Sequence, residues 1–353
     1  MSRFAFIKDR KGFAAVLQDL FLDLAETEQR GDYHPEKFVD LHTAYVMYQM
    51  ETRVEKMAAL FHDVAKVDVT QTQDSGKVTS YAHAAKAPVY VKAVAPFVSG
   101  YDGCTDQGHK NWSQFWDVVS AVTENHMRFK FREGERLEQA ISEAAESAGI
   151  HTMVMRQYAE LFKAADDMNS FFERHDLQKD DDLDFTSDFE AGEIFWPAVT
   201  EYVEFVEDLL DEVEANVPET GDESLVVFRG LPGSGKTTLA KTMGFGDSAI
   251  FSADAYFVSD DGEYEFEGSK LGEAHEWCKS GVRSALERGT EAVAVHNTST
   301  QLWEMIPYFS MAAEAGYKFH SVIVENRGHH ASTKNIPAKT MDRMKDRFDV
   351  RLR

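Results

Sequence analysis

Two groups of residues in this 353-residue sequence have types and spacings that suit chemistry on phosphate groups. The first is the segment Gly230-Leu-Pro-Gly-Ser-Gly-Lys-Thr237, which follows an apolar run and precedes a helical pattern. Glycines let backbone N–H groups curve around phosphate oxygens, the lysine reaches the outer phosphates, and the hydroxyl binds Mg²⁺. The segment therefore predicts a site for ATP or another NTP with Mg²⁺. The expected contacts are Gly230, Gly233, Ser234, Gly235, Lys236, Thr237 and Thr238.

A carboxylate follows the next predicted strand of the same half. That strand ends at Ser252-Ala253-Asp254, which places Asp254 at the carboxyl edge of the sheet, beside the glycine-rich loop. A carboxylate there can orient and deprotonate an attacking hydroxyl, the task of a base in phosphoryl transfer. The simpler interpretation is a helix N-cap, where aspartate is common. Lys236 and Asp254 are thus candidate catalytic residues.

The second group consists of histidines and aspartates in the N-terminal half, inside or at the ends of predicted helices. Neighbours on a helix point about 100° apart, so His62 and Asp63 converge on one metal only if other helices supply ligands. His42 and Asp166 are suitable, because each lies on an apolar-striped helix where an unpaired polar group is costly. One metal accounts for all four residues, with Asp63 as the candidate catalytic one. Imidazole and carboxylate ligands suit Mn²⁺, Ni²⁺, Co²⁺ or Zn²⁺.

Several basic side chains stand close to these residues in the sequence. Lys66, Arg128 and Lys130 either supply charge for a substrate phosphate or are ordinary solvated side chains, and the sequence leaves both open. His34 is expected to act as a structural or outer partner rather than as a ligand.

The pattern along the chain indicates more than one domain. Apolar residues recur at three and four residue spacing from Phe13 to about Glu173, which predicts an all-α domain. An acidic stretch and one helix, from about Ile194 to Val213, form a predicted connector. Short apolar runs alternate with helices after Ser224, which predicts an α/β domain with a parallel sheet. The expected domain bounds are 1–178, 179–221 and 222–353.

Composition narrows the function classes. The sequence has no apolar run near the ~18 residues that cross a bilayer, no secretory signal pattern and two cysteines, so a cytoplasmic protein without a membrane partner is expected. The net charge of −24 disfavours a nucleic-acid partner at first sight. However, the stretch from Lys318 to Arg353 is rich in lysine and arginine, so a local basic surface is compatible with the sequence.

The C-terminal motifs resemble those of the polynucleotide 5′-kinase family. GLPGSGKTT, FSADAY, VAVHNTSTQLWEM and ENRGHHASTKNIP follow one another in that family's order, over about Leu225 to Phe348. The resemblance implies that Asp254 is the general base and that Asn297 and Thr298 line the site. It also implies a lid arginine, Arg327, that stabilises the transferring phosphate.

The lid and acceptor positions leave two open points. Lys334 is the second choice for the lid residue. Family members often carry a basic residue just after the aspartate, which contacts the substrate phosphate, and Phe257 stands there in this sequence.

The N-terminal motifs resemble the HD phosphohydrolase superfamily, whose signature is H…HD…D. YHPEKFVDLHT, FHDVAK, SYAHAAKA, ENHM and AADD reproduce its order over about Tyr33 to Ser170. The resemblance implies an all-α HD domain before the α/β P-loop kinase domain. It further implies one or two divalent metals: a first site of four ligands and a second formed by His83 and His126. The first set is His42, His62, Asp63 and Asp166.

This domain order is similar to that of bifunctional end-healing enzymes. The resemblance implies that the HD domain removes 2′,3′-cyclic phosphate or 3′-phosphate from RNA or DNA ends. The P-loop domain would transfer the NTP γ-phosphate to 5′-hydroxyl ends, with a functional link to a nucleic-acid ligase. The alternative is an HD nucleotide phosphohydrolase fused to a P-loop kinase acting on a small molecule. A third hypothesis, a module that senses nucleotide without turnover, is disfavoured by the intact HD set and by the intact Lys236, Thr237 and Asp254.

Overall fold

The computed structural model describes residues 10–29, 34, 36–73, 75–98, 111–174, 192–259, 261–326 and 336–350. The chain divides into two compact units, Met1–Asn216 and Val217–Arg353. The first is a helical region and the second contains a parallel sheet. Both features agree with the prediction of a helical N-terminal region followed by a domain with a parallel sheet.

Helices dominate the first unit. They are α1 (Gly12–Glu26), α2 (Val39–Tyr48), α3 (Arg53–His62), α4 (Lys66–Val69), α5 (His83–Val94), α6 (Trp112–Phe131), α7 (Gly134–Ser147), α8 (Thr152–Ala165), α9 (Met168–Arg174) and α10 (Gly192–Asn216). None of the helices in the described ranges combines the length and the apolarity needed to cross a bilayer.

Helix α6 lies at the centre of the first unit and contacts α3, α5, α7 and α8. Its buried residues Phe115, Val119, Val122 and Phe129 recur at helical spacing, so they form one apolar stripe. His126 lies on the same stripe and is buried with it. The helix thereby carries an imidazole into the interior, where a polar group needs a partner.

The helical region is interrupted by a small antiparallel hairpin, which the expectation of an all-α domain did not include. Strands β1 (Thr70–Thr72) and β2 (Val78–Ser80) pair with Thr70 opposite Ser80. Three residues are too few to show the alternation of apolar and polar residues that marks a strand. The hairpin matters for the site because β2 leads directly into the start of α5.

Helix α10 packs against α1 and α2 within the first unit. The sequence indicated a helix from about Ile194 to Val213 in a connector, and the helix extends over Gly192–Asn216. Its apolar side, which includes Tyr202, Val206 and Leu210, is buried. It therefore contributes to the core of this unit. The acidic stretch at 175–191 lies outside the described residues.

The second unit is built on a four-stranded parallel sheet with the order β4-β5-β3-β6. Its strands are β3 (Ser224–Arg229), β4 (Ile250–Phe251), β5 (Ala292–Val295) and β6 (Lys318–Ile323). Its helices are α11 (Lys236–Thr242), α12 (Leu271–Glu287), α13 (Ile306–Glu314) and α14 (Ala338–Asp346).

Alternate residues of β3 belong to two different cores. Leu225 and Val227 pack in a cluster with residues of α12 and α13, whereas Val226 and Phe228 pack in a cluster that includes residues of α11. Since successive side chains of a strand point to opposite faces, the sheet is covered on both sides. The loops that remain exposed are therefore those at the strand ends, and the carboxyl ends carry the residues predicted to do chemistry.

Candidate metal centre and nucleotide site

Asp63 lies at the centre of a buried cluster of histidines and carboxylates in the first unit. Its Oδ1 lies 3.0 Å from His83 Nε2 and 3.7 Å from His126 Nε2. Its Oδ2 lies 3.3 Å from His62 Nε2 and 3.5 Å from His42 Nε2. The structure therefore brings together both halves of the predicted ligand set around one carboxylate.

Asp166 completes the cluster from the opposite side. Its Oδ1 lies 2.9 Å from His42 Nε2. Asp166 and the residues around Asp63 are each at most 5% exposed. Two carboxylates and four imidazoles buried this closely need a positive partner, because the burial of unpaired charge is costly.

The backbone sets the tautomer of three of these histidines. The Nδ1 atoms of His62, His83 and His126 lie 2.7, 2.8 and 2.7 Å from the carbonyl oxygen three residues earlier. A carbonyl can only accept, so each Nδ1 carries a proton, and Nε2, which faces the cluster, is the ring atom available to a metal. His83 Nε2 and His126 Nε2 lie 3.2 Å apart. Two lone pairs at that distance repel unless a cation or a proton lies between them.

The helix ends explain how neighbours in sequence reach the same point. His62 is the last residue of α3 and Asp63 is its C-cap, so the chain leaves the helical path at Asp63. Asp166 is likewise the C-cap of α8, and His83 is the first residue of α5. Side chains of adjacent residues inside a helix point about 100° apart, but residues at helix ends are not held to that angle. These ligands can therefore reach the same point.

The carboxylates of the cluster are held in the ionised form. Burial alone raises the pKa of Asp63, but the adjacent imidazole of His62, the ammonium of Lys66 and the imidazole of His83 lower it well below its usual value. The pKa of Asp166 is also raised by burial and then lowered well below its usual value by the hydrogen bond with His42. Ionised carboxylates are the form that binds a metal.

The pKa values of His126 and His42 are shifted in opposite directions. Burial lowers the pKa of His126 to about 3, and His62 adds to the effect, so this ring is neutral. Burial also lowers the pKa of His42, but Asp166 and Glu36 outweigh it and raise the pKa to about 9. The position of His42 between two carboxylates thus calls for positive charge, which a divalent cation would supply. The ligand atoms of His42, His62 and Asp63 all lie within 4.8 Å of one another, as do those of Asp63, His83 and His126, so the donor set fits a metal.

Two lysines form ion pairs with the carboxylates of the cluster. Lys66 is 6% exposed, and its Nζ lies 2.6 Å from Asp63 Oδ2. Lys130 Nζ lies 3.1 Å from Asp166 Oδ2. Neither is an ordinary solvated side chain. Arg128, by contrast, pairs with Asn125 and with Glu143 on α7.

A pocket of about 540 Å³ opens onto this cluster. Its charged lining residues include Asp63, Lys66 and Lys130, together with imidazoles of the cluster. Its apolar lining residues include Met127 and Phe131. A volume of this size holds a ligand as large as a nucleotide. Two ammonium groups in the lining suit a phosphate.

Glu36 is a participant that the sequence did not reveal. This fully buried carboxylate lies 2.7 Å from His42 Nδ1 and 2.9 Å from His34 Nδ1. It fixes the ring of His42 with Nε2 toward the cluster, the role that a carboxylate plays behind a metal-binding histidine. His34 reaches the cluster through Glu36, in keeping with the outer role predicted for it.

Replacing Glu36 with glutamine is expected to weaken metal binding by about 10- to 100-fold, because the amide no longer holds His42 as strongly. The dissociation constant for Mn²⁺ or Zn²⁺, measured by isothermal titration calorimetry on metal-stripped protein, checks this. Glu138→Gln is the matched control, since Glu138 is exposed and pairs with Arg156 on the surface. Equal affinities in both variants would show that Glu36 has no part in the site.

The glycine-rich loop of the second unit joins β3 to α11. Gly233 and Gly235 have φ values of +83° and +91°, which glycine adopts without strain. A Cβ on Gly230 would lie 2.5 Å from the carbonyl oxygen of Val324, so the backbone is closely packed there. The Oγ of Ser234 is buried and has no hydrogen-bond partner among the described residues. A buried hydroxyl inside the loop is suited to form a hydrogen bond with a phosphate oxygen of a nucleotide.

The motif's lysine and threonines also lie at this loop. Lys236 Nζ donates to the carbonyl oxygens of Gly230 and Leu231, at 2.7 and 3.0 Å, so its amine lies across the loop. Thr237 and Thr238 are exposed at the start of α11. Thr237 Oγ1 lies 3.4 Å from Nδ1 of His296, to which the sequence motifs assigned no role. The signal for His296 was its place directly after β5.

The segment after β5 ties the predicted base to the loop. Asn297 Oδ1 accepts from the backbone N–H of Ala253 at 2.9 Å, and the Thr298 carbonyl oxygen accepts from Gly230 N–H at 3.1 Å. Consecutive residues thus hold the turn before Asp254 and the first glycine of the loop. Asn297 is 7% exposed and acts on the turn through these internal bonds.

Asp254 lies in a short 3₁₀ helix, Ala253–Phe257. Ser252 is the N-cap of that helix, because its hydroxyl accepts from the Asp254 N–H at 3.2 Å. Ser252 therefore caps this helix, and the side chain of Asp254 is available for a different role. The hydroxyl of Tyr264 donates to Asp254 Oδ1 at 3.2 Å. Arg327 and Lys334, the lid candidates, lie outside the described residues.

Comparison with known proteins identifies the second unit. Residues 225–350 match the family model described as an AAA domain. The C-terminal unit is a P-loop domain. A segment of 96 residues is 42% identical to NEDD4-binding protein 2 from Homo sapiens, covering 27% of this chain and 5% of that protein. The chain thus spans a small part of this relative's length.

A P-loop domain implies binding of a nucleotide with Mg²⁺, and kinase-like chemistry is in keeping with it. With a nucleotide bound, the loop from Gly230 to Gly235 would surround the phosphates, Lys236 would reach the outer ones, and Thr237 would offer its hydroxyl to Mg²⁺. The family match begins at 225 and so does not extend to the histidine–aspartate cluster of the first unit.

Proposed function

We propose that this chain heals nucleic-acid ends with two separate sites. The first unit would remove a 2′,3′-cyclic phosphate or a 3′-phosphate from an RNA or DNA end, as an HD-type phosphohydrolase. The P-loop domain would transfer the γ-phosphate of an NTP to a 5′-hydroxyl end. The observation that carries the proposal is the convergence of four histidine Nε2 atoms and two carboxylates at a pocket that two lysines also line.

The ligands of the first unit would be shared between two positions. His42, His62, Asp63 and Asp166 would hold one divalent metal, and His83 and His126, which also face Asp63, would hold a second. Mn²⁺, Ni²⁺, Co²⁺ and Zn²⁺ suit this donor set. Such metals polarise a phosphoester and make water a usable nucleophile near neutral pH.

The protein's own residues would position the phosphate. Lys66 and Lys130 line the pocket, where their ammonium groups would hold phosphate oxygens. Lys66 is held by an ion pair with Asp63, and Lys130 by one with Asp166. Met127 and Phe131, which also line the pocket, would accommodate the rest of the terminal nucleotide.

In the P-loop domain, Asp254 would act as the general base. Its carboxylate would accept the proton of the attacking 5′-hydroxyl, and the bond from Tyr264 holds it in position. Lys236 would neutralise charge on the transferring phosphate, and the resemblance to polynucleotide 5′-kinases assigns Arg327 to the same task. Asn297 would keep the turn that carries Asp254 in register with the loop.

The two reactions complement each other on one kind of substrate. Breaks in RNA commonly leave a 2′,3′-cyclic phosphate or a 3′-phosphate on one side and a 5′-hydroxyl on the other. A ligase needs the opposite arrangement, so a chain that corrects both ends would act before one. This pairing supports a polynucleotide substrate over two unrelated small molecules.

The experiment that tests the proposal uses a short RNA with a 5′-hydroxyl and a 2′,3′-cyclic phosphate. The purified protein is incubated with it, ATP and Mg²⁺ or Mn²⁺, and both ends are followed on a sequencing gel. Gain of a 5′-phosphate and loss of the cyclic end are expected. Untouched RNA with ATP or free nucleotide consumed would instead support the alternative, a nucleotide phosphohydrolase fused to a small-molecule kinase.

A further inference from the structure

A group of aromatic side chains lies beside Asp254 and contacts it through the hydroxyl of Tyr264. Tyr264, Phe266 and Trp277 are 40%, 57% and 47% exposed, and Tyr256 is half-buried beside them. We call these four residues the aromatic platform. Exposed apolar side chains gathered in one place mark an interaction site more often than scattered ones do.

Phe257 is a buried residue whose ring packs against rings of the platform. It is 6% exposed and belongs to the core of the second unit. Its ring centroid lies 5.0 Å from that of Phe266, 6.3 Å from that of Tyr264 and 5.4 Å from that of Tyr256. The Trp277 ring adjoins that of Tyr256 at 6.1 Å. The residue that stands in place of a phosphate-binding side chain is thus a buried support for three of the four rings, and the fourth, Trp277, packs against Tyr256.

The backbone holds the platform in a defined shape. Val258 and Tyr264 form an antiparallel bridge, and the Glu265 N–H donates to the Phe257 carbonyl oxygen at 2.8 Å. Tyr256 donates to Glu273 on α12 at 3.0 Å. Rings held in this way lose little conformational freedom on binding a flat ligand, which favours binding.

The charge around the platform indicates which part of a substrate it can take. From Asp254 to Lys279 the sequence has eight acidic residues and two lysines. Lys270 pairs with Glu267 and Lys279 pairs with Glu276. A surface of this charge repels phosphates, whereas stacking of a neutral base on an aromatic ring needs no positive charge.

We infer that the aromatic platform stacks the nucleobase of the acceptor's 5′-terminal nucleotide beside Asp254. The continuity of the platform with the carboxylate, through the bond from Tyr264, points to the acceptor rather than to a separate ligand. The inference rests on the proposed kinase activity of the P-loop domain. It adds that the domain recognises the acceptor through its terminal nucleobase. At this position the strongly acidic chain therefore does not depend on contacts with the acceptor's phosphates.

The test compares two 5′-hydroxyl oligonucleotides that differ only in whether the terminal nucleotide carries its base. The ratio of kcat/KM for the base-bearing and abasic acceptors is measured for the unaltered protein, Trp277→Ala and Phe266→Ala. The unaltered protein is expected to favour the base, and each substitution to reduce the ratio on the order of 10-fold, mainly through KM. Phe266→Leu keeps an apolar side chain if alanine impairs folding, and should reduce the ratio in the same direction.

Trp196→Ala is the control, because Trp196 is an exposed tryptophan of α10 in the first unit, and its ratio should equal that of the unaltered protein. A ratio near one in the unaltered protein, or an unchanged ratio in the platform variants, would overturn the inference and leave the kinase proposal standing. A variant that changes the mass by light scattering but not the ratio would overturn it in favour of a protein interface. Absence of transfer to both acceptors would overturn the kinase proposal itself.

Discussion

Asparagine in place of Asp63 is expected to reduce phosphoesterase activity on the order of 1,000-fold, with kinase activity unchanged. Asp63 contacts all four histidine Nε2 atoms of the cluster and the ammonium of Lys66. The amide keeps the shape but removes the negative charge that this side chain would offer to the proposed metal ions. A loss of several kcal/mol in transition-state stabilisation corresponds to a rate effect of this size.

Two measurements check the effect of Asp63→Asn. Rates of cyclic-phosphate opening and of 3′-phosphate release are followed on RNA ends, and the metal content of the purified variant is determined by mass spectrometry. The variant should retain less metal as well as less activity. Asp117→Asn is the control, since Asp117 is exposed on α6 and outside the cluster. Full metal content with full activity in Asp63→Asn would refute the assigned centre.

Alanine in place of Lys236 is expected to reduce kinase activity by about 100- to 1,000-fold and to leave the phosphoesterase unaffected. The amine of Lys236 lies across the glycine-rich loop and is placed to move onto the outer phosphates when a nucleotide binds. Removal of one preorganised charge aimed at the transferring group costs a factor of this size.

Transfer of labelled phosphate from ATP to a 5′-hydroxyl RNA measures the effect of Lys236→Ala. Lys241→Ala is the control on the same helix, because Lys241 is exposed and pairs with Asp247. The control should retain the rate of the unaltered protein. A Lys236→Ala variant that still transfers phosphate at that rate would show that the loop is not the donor site.

The sequence predicted the features that depend on local patterns. The glycine-rich loop, the strand before it and the alternation of strands with helices after Ser224 follow from short motifs and periodicity, and the family match at 225–350 confirms a P-loop domain. His62 and Asp63 could be recognised because a charged pair in an apolar helix is costly without a partner. The prediction that they meet His42 and Asp166 used the same argument, and the four residues are close in the structure.

Features that depend on contacts between distant segments could not be predicted in the same way. Glu36 lies in a loop without periodicity, and its role appears only when the loop packs against His42. The rings of the aromatic platform come from a 3₁₀ helix, a loop and α12, so no spacing in the sequence joins them. The hairpin β1–β2 was missed because strands of three residues carry no detectable alternation.

Mixing the two variants tests the central claim, that one chain carries two independent phosphate chemistries. Asp63→Asn and Lys236→Ala are each incubated alone, and then together, with ATP and an RNA that has a 5′-hydroxyl and a 2′,3′-cyclic phosphate. Each variant alone should correct one end, and the mixture should correct both. The account is contradicted if either folded variant fails at both ends, or if the mixture cannot correct an end that the unaltered protein corrects.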